Sequence, residues 1–132
     1  GGNNTAVGYA ALVANTTASN NTSVGYQSLL ANTTGTSHTA VGYAALSSTT
    51  TATNNTGIGF NALNDCTTGA ENTAIGDEAG GSCTTGNQNV FVGQRAGKEV
   101  VLFFLALLQT EYLILQILQH GHKLLIEELK RT

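Results

Sequence analysis

The side chains that could carry chemistry in this chain are few, and its two cysteines come first. Cys66 and Cys83 stand 17 residues apart, which in a repetitive fold would place them one above the other. The spacing of stacked strands allows a disulfide, although two small core residues would show the same pattern. A zinc site would need a second pair of ligands at a suitable spacing. A Cys66–Cys83 disulfide therefore stays open, and we expect no bound metal.

The histidines are the next candidates. His120 and His122 flank Gly121, and residues two apart on a helix point about 200° apart, so one copy cannot hold an ion with both. A ring of His122 side chains from several copies could bind an ion, but we favour a polar layer that sets the register of a helical bundle. His38 stands where most other repeats carry Asn, and we expect it to make only a hydrogen bond at a corner.

Acid–base and phosphate chemistry are not indicated. Asp77 and Glu78 are adjacent carboxylates, but neighbouring residues of a strand face opposite sides and would not act together. The segment Gly57-Ile58-Gly59 lacks the further glycine and the lysine of phosphate-binding loops. Charged residues make up 10% of the chain. We therefore expect neither an enzyme nor a bound cofactor.

Charge is distributed unevenly along the chain. No Asp, Glu, Lys or Arg precedes Asp65, and the net charge of the 132 residues is −3, with only five Lys and Arg. Surfaces that bind nucleic acid need clustered basic residues, so nucleic acid is not an expected partner. The chain begins Gly1-Gly2 without Met, and we therefore expect a processed or partial chain.

A repeat of 17 residues must position these side chains, and its most regular mark is a glycine that follows Val or Ile. The six glycines are Gly8, Gly25, Gly42, Gly59, Gly76 and Gly93. The residues before them are Val7, Val24, Val41, Ile58, Ile75 and Val92. Asn-Thr pairs upstream and Thr-Thr pairs downstream complete the consensus N-T-A-V-G-Y-x-A-L-x-x-x-T-T-G-x-x, which recurs without insertions.

This unit suits one turn of a β-solenoid, because helical-hairpin repeats need about 33 residues or more. Thr, Val and Tyr favour strands, while Gly and Asn supply corners with positive φ. We predict an all-β parallel β-solenoid of six coils, in which equivalent residues stack about 4.8 Å apart. Val would then lie over Val, and Tyr9 over Tyr26, Tyr43 and Phe60.

The segment Ala6-Val7-Gly8-Tyr9 is apolar or small on both sides. Such strands are typically buried on both faces, and the interior of one coil covers only one of them. We expect Val24 and Val41 to lie inside, Thr50 to face water, and the Ala/Gly side to pack against other copies of the chain. A homotrimer is the favoured assembly. A monomer with a smooth outer face is the alternative.

The repeats resemble those of phage and other viral tail-fibre proteins and, more distantly, the head of trimeric autotransporter adhesins. The resemblance covers residues 3–97 and includes NTAVGYAAL (4–12), NTSVGYQSL (21–29) and the closing NVFVGQRAG (89–97). It implies a homotrimeric fibre segment, a β-roll or β-helix, exposed on a virion or cell surface. It is specific for architecture and says little about a target.

Composition changes after Gly97, from Gly, Asn and Thr to Leu, Ile and Gln. We therefore divide the chain into a solenoid, 1–97, and a C-terminal helical trimerisation or capping segment, 98–132. Its core stripe would be a set of residues at helical spacing: Leu115, Leu118, His122, Leu125 and Leu129. The stretch 100–119 is long enough to span a bilayer, but its polar residues favour a helical bundle over a membrane anchor.

The leading interpretation is a structural, extracellular fibre segment that supports attachment. One alternative is an adhesin head that binds a host-surface receptor or glycan. Another is an ice-binding solenoid, because regular Thr ladders can order water, although the Thr16-Thr17 type of pair is adjacent rather than spaced at i and i+2.

Overall fold

The computed structural model describes residues 1–97 and, beyond them, Gln109, Tyr112, Gln116 and Lys130. The chain divides into two compact units, Gly1–Lys98 and Glu99–Thr132. In the second unit Gln109, Tyr112 and Gln116 are helical, and the Gln116 amide donates a hydrogen bond to the Tyr112 hydroxyl at 2.8 Å. The predicted stripe of Leu115, Leu118, His122, Leu125 and Leu129 lies outside the described residues. The rest of the segment 100–119 also lies outside the described residues.

The first unit is a parallel β-solenoid, as predicted. Each coil contributes one three-residue strand, and the strands stack in chain order from β1 to β6. They are β1 Thr5–Val7, β2 Thr22–Val24, β3 Thr39–Val41, β4 Thr56–Ile58, β5 Thr73–Ile75 and β6 Val90–Val92. Each strand pairs with the next at an offset of one repeat, so that Val7 lies beside Val24 and Val24 beside Val41. We number coils 1 to 6 after these strands.

The predicted inside–outside assignment of the strand is wrong. In β2 and β3 the central residues, Ser23 and Ala40, are buried, whereas Val24 and Val41 are half-exposed. The reason is volume. A second column of residues, from the turn after each strand, packs into the same core: Leu12, Leu29, Leu46 and Leu63. A Cβ added to Gly57 would lie 3.2 Å from the Leu46 side chain, so only a small residue fits the inner strand position.

The last coil solves the same packing problem with different residues. Gly80 and Gly97 stand where earlier coils have Leu, and Phe91 stands where they have Ala, Ser or Gly. A Cβ on Gly80 would come within 2.6 Å of the Phe91 ring, and one on Gly97 would also collide with it. The phenyl ring therefore occupies the volume that leucines fill elsewhere.

Backbone conformation explains the repeated glycine. The six glycines have φ between 116° and 138°, a conformation that L side chains rarely adopt. A Cβ on Gly42 would collide with the carbonyl of Gly59 in the next coil. The amide of each later glycine also donates to the preceding coil, as from Gly42 to the Val24 carbonyl at 2.8 Å. Glycine is thus required by both conformation and close stacking.

Candidate functional site

The most distinctive surface is an apolar strip that we call the outer face. It consists of one column of strand residues and one column of aromatic residues from the turn that follows. The strand column is Val7, Val24, Val41, Ile58, Ile75 and Val92, and the aromatic column is Tyr9, Tyr26, Tyr43 and Phe60. In the middle of the array Ile58 is 37% and Tyr43 48% exposed. The predicted Val and Gly ladders thus exist, but the Val ladder faces outward.

The aromatic column is a continuous stack. Successive ring centroids lie 5.2, 5.0 and 5.1 Å apart along Tyr9, Tyr26, Tyr43 and Phe60, with interplanar angles of 13°, 9° and 13°. The coil spacing places each ring above its equivalent, and the rings remain partly open to solvent. The predicted stacking order is confirmed.

The outer face becomes polar at its C-terminal end. Asp77 and Gln94 continue the aromatic column, and the Gln94 amide donates to the Asp77 carboxylate at 3.2 Å. Beside them Arg95 forms an ion pair with Glu78 at 2.9 Å. Asp77 and Glu78 lie in the turn after β5 rather than in a strand. Each carboxylate bonds to a different residue of the next coil, so they do not form an acid–base pair.

Threonine hydroxyls of the closing segment bond to neighbouring coils. Thr16 donates to the carbonyl of Thr33 at 2.9 Å, and Thr33 and Thr50 repeat the contact one and two coils further on. Thr50 is half-buried, whereas Thr51 is exposed. These hydroxyl groups therefore donate their protons to the protein backbone and not to water. This argues against the Thr-Thr pairs as an ice-binding surface.

The opposite corner of each coil is held by an interior column of amide side chains. We call this the Asn column: Asn4, Asn21, His38, Asn55, Asn72 and Asn89. The Asn21 side chain shows its bonding pattern. Its Oδ1 accepts from the backbone N–H of His38 at 2.8 Å, and its Nδ2 donates to the Gly35 carbonyl at 3.0 Å. From Asn4 to Asn72, each side chain thus links its own coil to the next and bonds to a corner carbonyl.

His38 reproduces this pattern with its imidazole. Its Nδ1 accepts from the backbone N–H of Asn55 at 3.2 Å, and its Nε2 bonds to the Ala52 carbonyl at 2.8 Å. The predicted corner hydrogen bond is therefore confirmed. The ring is buried, and burial lowers the pKa of His38 below 6.5, an effect that the hydrogen bond with the Ala52 carbonyl partly opposes.

Both cysteines belong to a second interior column and are free thiols. The column is Asn15, Asn32, Thr49, Cys66 and Cys83. The Cys66 thiol bonds to the Gly69 carbonyl at 3.4 Å, just as the Asn32 amide bonds to the Gly35 carbonyl. Burial raises the pKa of the Cys66 thiol to about 11. The disulfide left open from the sequence is not formed, and Cys66 serves as a corner hydrogen-bond donor.

Two features of the site were missed by sequence reasoning. The first is the place of the Leu column in the interior. Its signal is that the leucines recur with the same 17-residue spacing as the glycines. The Phe91 substitution was also overlooked. Its signal was the coincidence of Phe at a small-residue position with Gly80 and Gly97 at Leu positions.

No group of three or more His, Cys, Asp or Glu side chains that could hold a metal ion occurs among the described residues.

Within the part of the chain that the structure describes, no helix has the length and apolar character needed to cross a membrane.

No protein-family model, curated protein or solved structure matches this chain. The likeness of its repeats to tail-fibre proteins therefore remains a prediction.

Proposed function

We propose that residues 1–97 form a rigid, non-catalytic segment of an extracellular fibre and that three copies of the chain associate through the outer face. The observation that carries this proposal is the outer face itself. It combines exposed Val and Ile side chains with a stacked aromatic column over successive coils. Monomeric soluble proteins rarely expose large contiguous apolar patches, so a partner for this surface is expected.

A second copy of the same chain fits this surface best. Both columns repeat once per coil, and only a partner with the same coil spacing matches them along their whole length. Coils 1 to 3 carry no charged residue, and the first charge of the chain is Asp65 in coil 4, so these coils offer nothing to a partner that is recognised by charge. We therefore still propose self-association, but we place the symmetry axis of the trimer beside the Val and Tyr columns and not beside the Ala/Gly side of the strand.

Two adjacent columns favour a ring over a pair. Each copy can contact one neighbour with its Val column and the other neighbour with its aromatic column. Such heterologous contacts close into a ring when the rotation allows it, and three is the smallest number that gives each copy two different neighbours. Asp77, Glu78 and Arg95 mark one end of the face, so a parallel arrangement keeps charged ends together and away from the aromatic stack.

A fibre role also agrees with the regularity of the array. The six repeats follow one another without insertions. Specific interfaces concentrate their affinity in aromatic and Arg side chains set in packed pockets. The aromatic residues here are instead stacked nearly parallel in a periodic ladder. We therefore assign recognition of a host-surface receptor or glycan to other parts of a longer protein, and the adhesin head remains the alternative.

Sedimentation of the full chain at micromolar concentration tests the proposal. The expected mass is about three times 13.6 kDa. Val41→Asp would place a carboxylate from each copy in the interface without a basic partner, at a cost of several kcal/mol per site, and should give a folded monomer. Thr51→Asp is the matched control because Thr51 is exposed on a different part of the coil, and it should leave the mass unchanged.

A wild-type monomer would contradict the proposal. A wild-type trimer that Val41→Asp does not dissociate would keep the trimer but place its axis elsewhere. Circular dichroism of both variants shows whether the solenoid itself remains folded.

Ice binding is a second candidate function, because Thr and Val lie on the same side of each strand. In β3, Thr39 and Val41 are both half-exposed around buried Ala40, which gives a flat, regular face at i and i+2. Association of copies would cover this face. Thermal hysteresis in a solution of folded monomer would therefore support ice binding over the fibre proposal.

A further inference from the structure

His38 is the one position of the Asn column where the hydrogen-bonding group can take up a proton near neutral pH. The neighbouring members, Asn21 and Asn55, are neutral amides at every pH that the fold experiences. The corner that joins coils 3 and 4 therefore differs in kind from the other corners of the array.

The hydrogen bonds of His38 fix its protonation state. Because a backbone N–H of Asn55 points at Nδ1, this nitrogen must be unprotonated. Because Nε2 lies 2.8 Å from the Ala52 carbonyl oxygen, this nitrogen must carry the proton. The neutral Nε2–H tautomer satisfies both contacts, whereas the imidazolium ion would bring an N–H donor at Nδ1 against the donor of Asn55.

Among residues 1–97, the ring bonds to backbone groups of Ala52 and Asn55 and to no carboxylate. Asn21 precedes it in the column, Asn55 follows it, and the Gly35 backbone packs so closely on Nε2 that an added Cβ would lie 2.8 Å away. The titratable side chains of the neighbouring column are Cys66 and Cys83, which are thiols. The first carboxylate of the chain, Asp65, is exposed.

We propose that His38 makes the junction between coils 3 and 4 an acid-sensitive point of the solenoid, at which protonation breaks the side-chain link to the next coil and loosens the array. The consequence concerns the folded chain and does not depend on the fibre function. In a longer protein it would let a stable array open at one defined coil when it enters an acidic compartment.

The sign of the effect follows from linkage. Burial holds the pKa of His38 in the folded chain below its ordinary value of 6.5, so the unfolded chain binds the proton first as pH falls. Stability from this residue is complete above pH 6.5 and is lost as pH falls through the folded-state pKa. The ratio of folded to unfolded chain should fall by up to about tenfold per pH unit in this window.

His38→Asn is the decisive variant because it restores the residue that the column uses elsewhere. Chemical denaturation of the full-length wild-type chain and the variant, at one protein concentration and at intervals from pH 8 to pH 5, gives two stability profiles. His120 and His122 and all carboxylates are common to both chains, so the difference between the profiles isolates His38. We expect a constant difference above about pH 7 and a growing loss in the wild type below it.

Parallel profiles across the whole range would overturn the proposal. A second measurement follows the ring directly. In the folded wild-type chain the His38 imidazole, observed by NMR, should titrate below its ordinary pKa, and exchange of the Asn55 amide should accelerate as the ring titrates. An imidazole that titrates at its ordinary pKa while the Asn55 amide stays protected would also overturn it.

Discussion

Coils 1 to 4 and coils 5 and 6 have the same backbone but different side-chain chemistry. In the first region Leu fills the interior and aromatic rings stack on the outer face. In the second, Phe91 fills the interior in place of Leu, and charged and amide side chains continue the aromatic column. Strand register nevertheless continues without a shift from β1 to β6.

The comparison distinguishes the features that every coil needs in order to fold from the surface residues that can differ between coils. The glycine with φ between 116° and 138° occurs in all six coils, and the Asn column links coils in both regions. The interior needs a constant volume, but it does not need a particular residue at each position. The outer face is free to change character, and its aromatic column of coils 1 to 4 gives way to Asp77 and Gln94 in coils 5 and 6.

The largest expected loss of stability comes from a glycine-to-alanine substitution in the first region, and the same substitution in the last coil is its control. Gly42→Ala adds a methyl group that collides with the Gly59 carbonyl of the next coil, at a φ of 138°. We expect this variant not to fold, because the stacked backbones cannot separate without losing their hydrogen bonds. Far-ultraviolet circular dichroism and thermal unfolding provide the measurement.

Gly93→Ala is its control in the last coil. Gly93 has a φ of 116°, but an added Cβ would meet nothing within 4 Å. We expect a folded chain that is weakened only by backbone strain, about 1–3 kcal/mol. Equal damage from both variants would show that conformation, and not stacking, accounts for the glycine.

A stability loss of intermediate size is expected from exchanging the two interior arrangements, Leu with a small strand residue in one and Gly with Phe91 in the other. Phe91→Ala should cost about 3–5 kcal/mol by leaving a cavity. Gly80→Leu should also destabilise the chain, because a Cβ there lies 2.6 Å from the Phe91 ring. The double variant recreates the combination of Leu63 in coil 4 and Ala74 in coil 5 one repeat earlier, and Gly80 has a φ of 59°, close to the 51° of Leu63.

Denaturation of the two single variants and the double variant forms a double-mutant cycle. We expect the double variant to be more stable than the sum of the single effects by about 1–3 kcal/mol. Simple additivity would mean that the two residues do not share one volume.

The smallest expected losses of stability compare the aromatic column with the polar residues that continue it. Tyr26 stacks on both Tyr9 and Tyr43, and each aromatic pair contributes about 0.5–1.5 kcal/mol. Tyr26→Ala should therefore cost about 1–3 kcal/mol. Gln94→Ala removes one exposed hydrogen bond and should cost about 1 kcal/mol or less. Chemical denaturation at a concentration that keeps the association state constant measures both, and a Tyr26→Ala cost no larger than that of Gln94→Ala would argue against the stack.

Much of the fold was predictable from the sequence because the period is carried by residues with a strict conformational role. Gly8 and its equivalents set the period of the coils as predicted, but each strand ends before its glycine and does not continue through Gly8 and Tyr9 as expected. The bonding role of His38 was also predictable, since it replaces Asn in a ladder whose members make the same contact.

The direction of the strand side chains was not predictable in the same way. In Thr5-Ala6-Val7 the inner residue is small and the outer residue is larger, which reverses the usual rule that the larger apolar residue is buried. The rule fails because Leu12 and its equivalents, in the turn after each strand, occupy the same interior. The alternation of residues along one strand does not show which side chains from other parts of the repeat fill the same interior.

The Asn column also has an evolutionary consequence. Every link in it spans 17 residues from one coil to the same place in the next, so each junction presents nearly the same set of bonding groups. Recombination between the tandem repeats of the coding sequence would add or remove whole coils and leave every remaining link intact. Gain or loss of a single codon would misalign all columns beyond it. Length can therefore vary among descendants of this chain while the thickness of the rod stays constant.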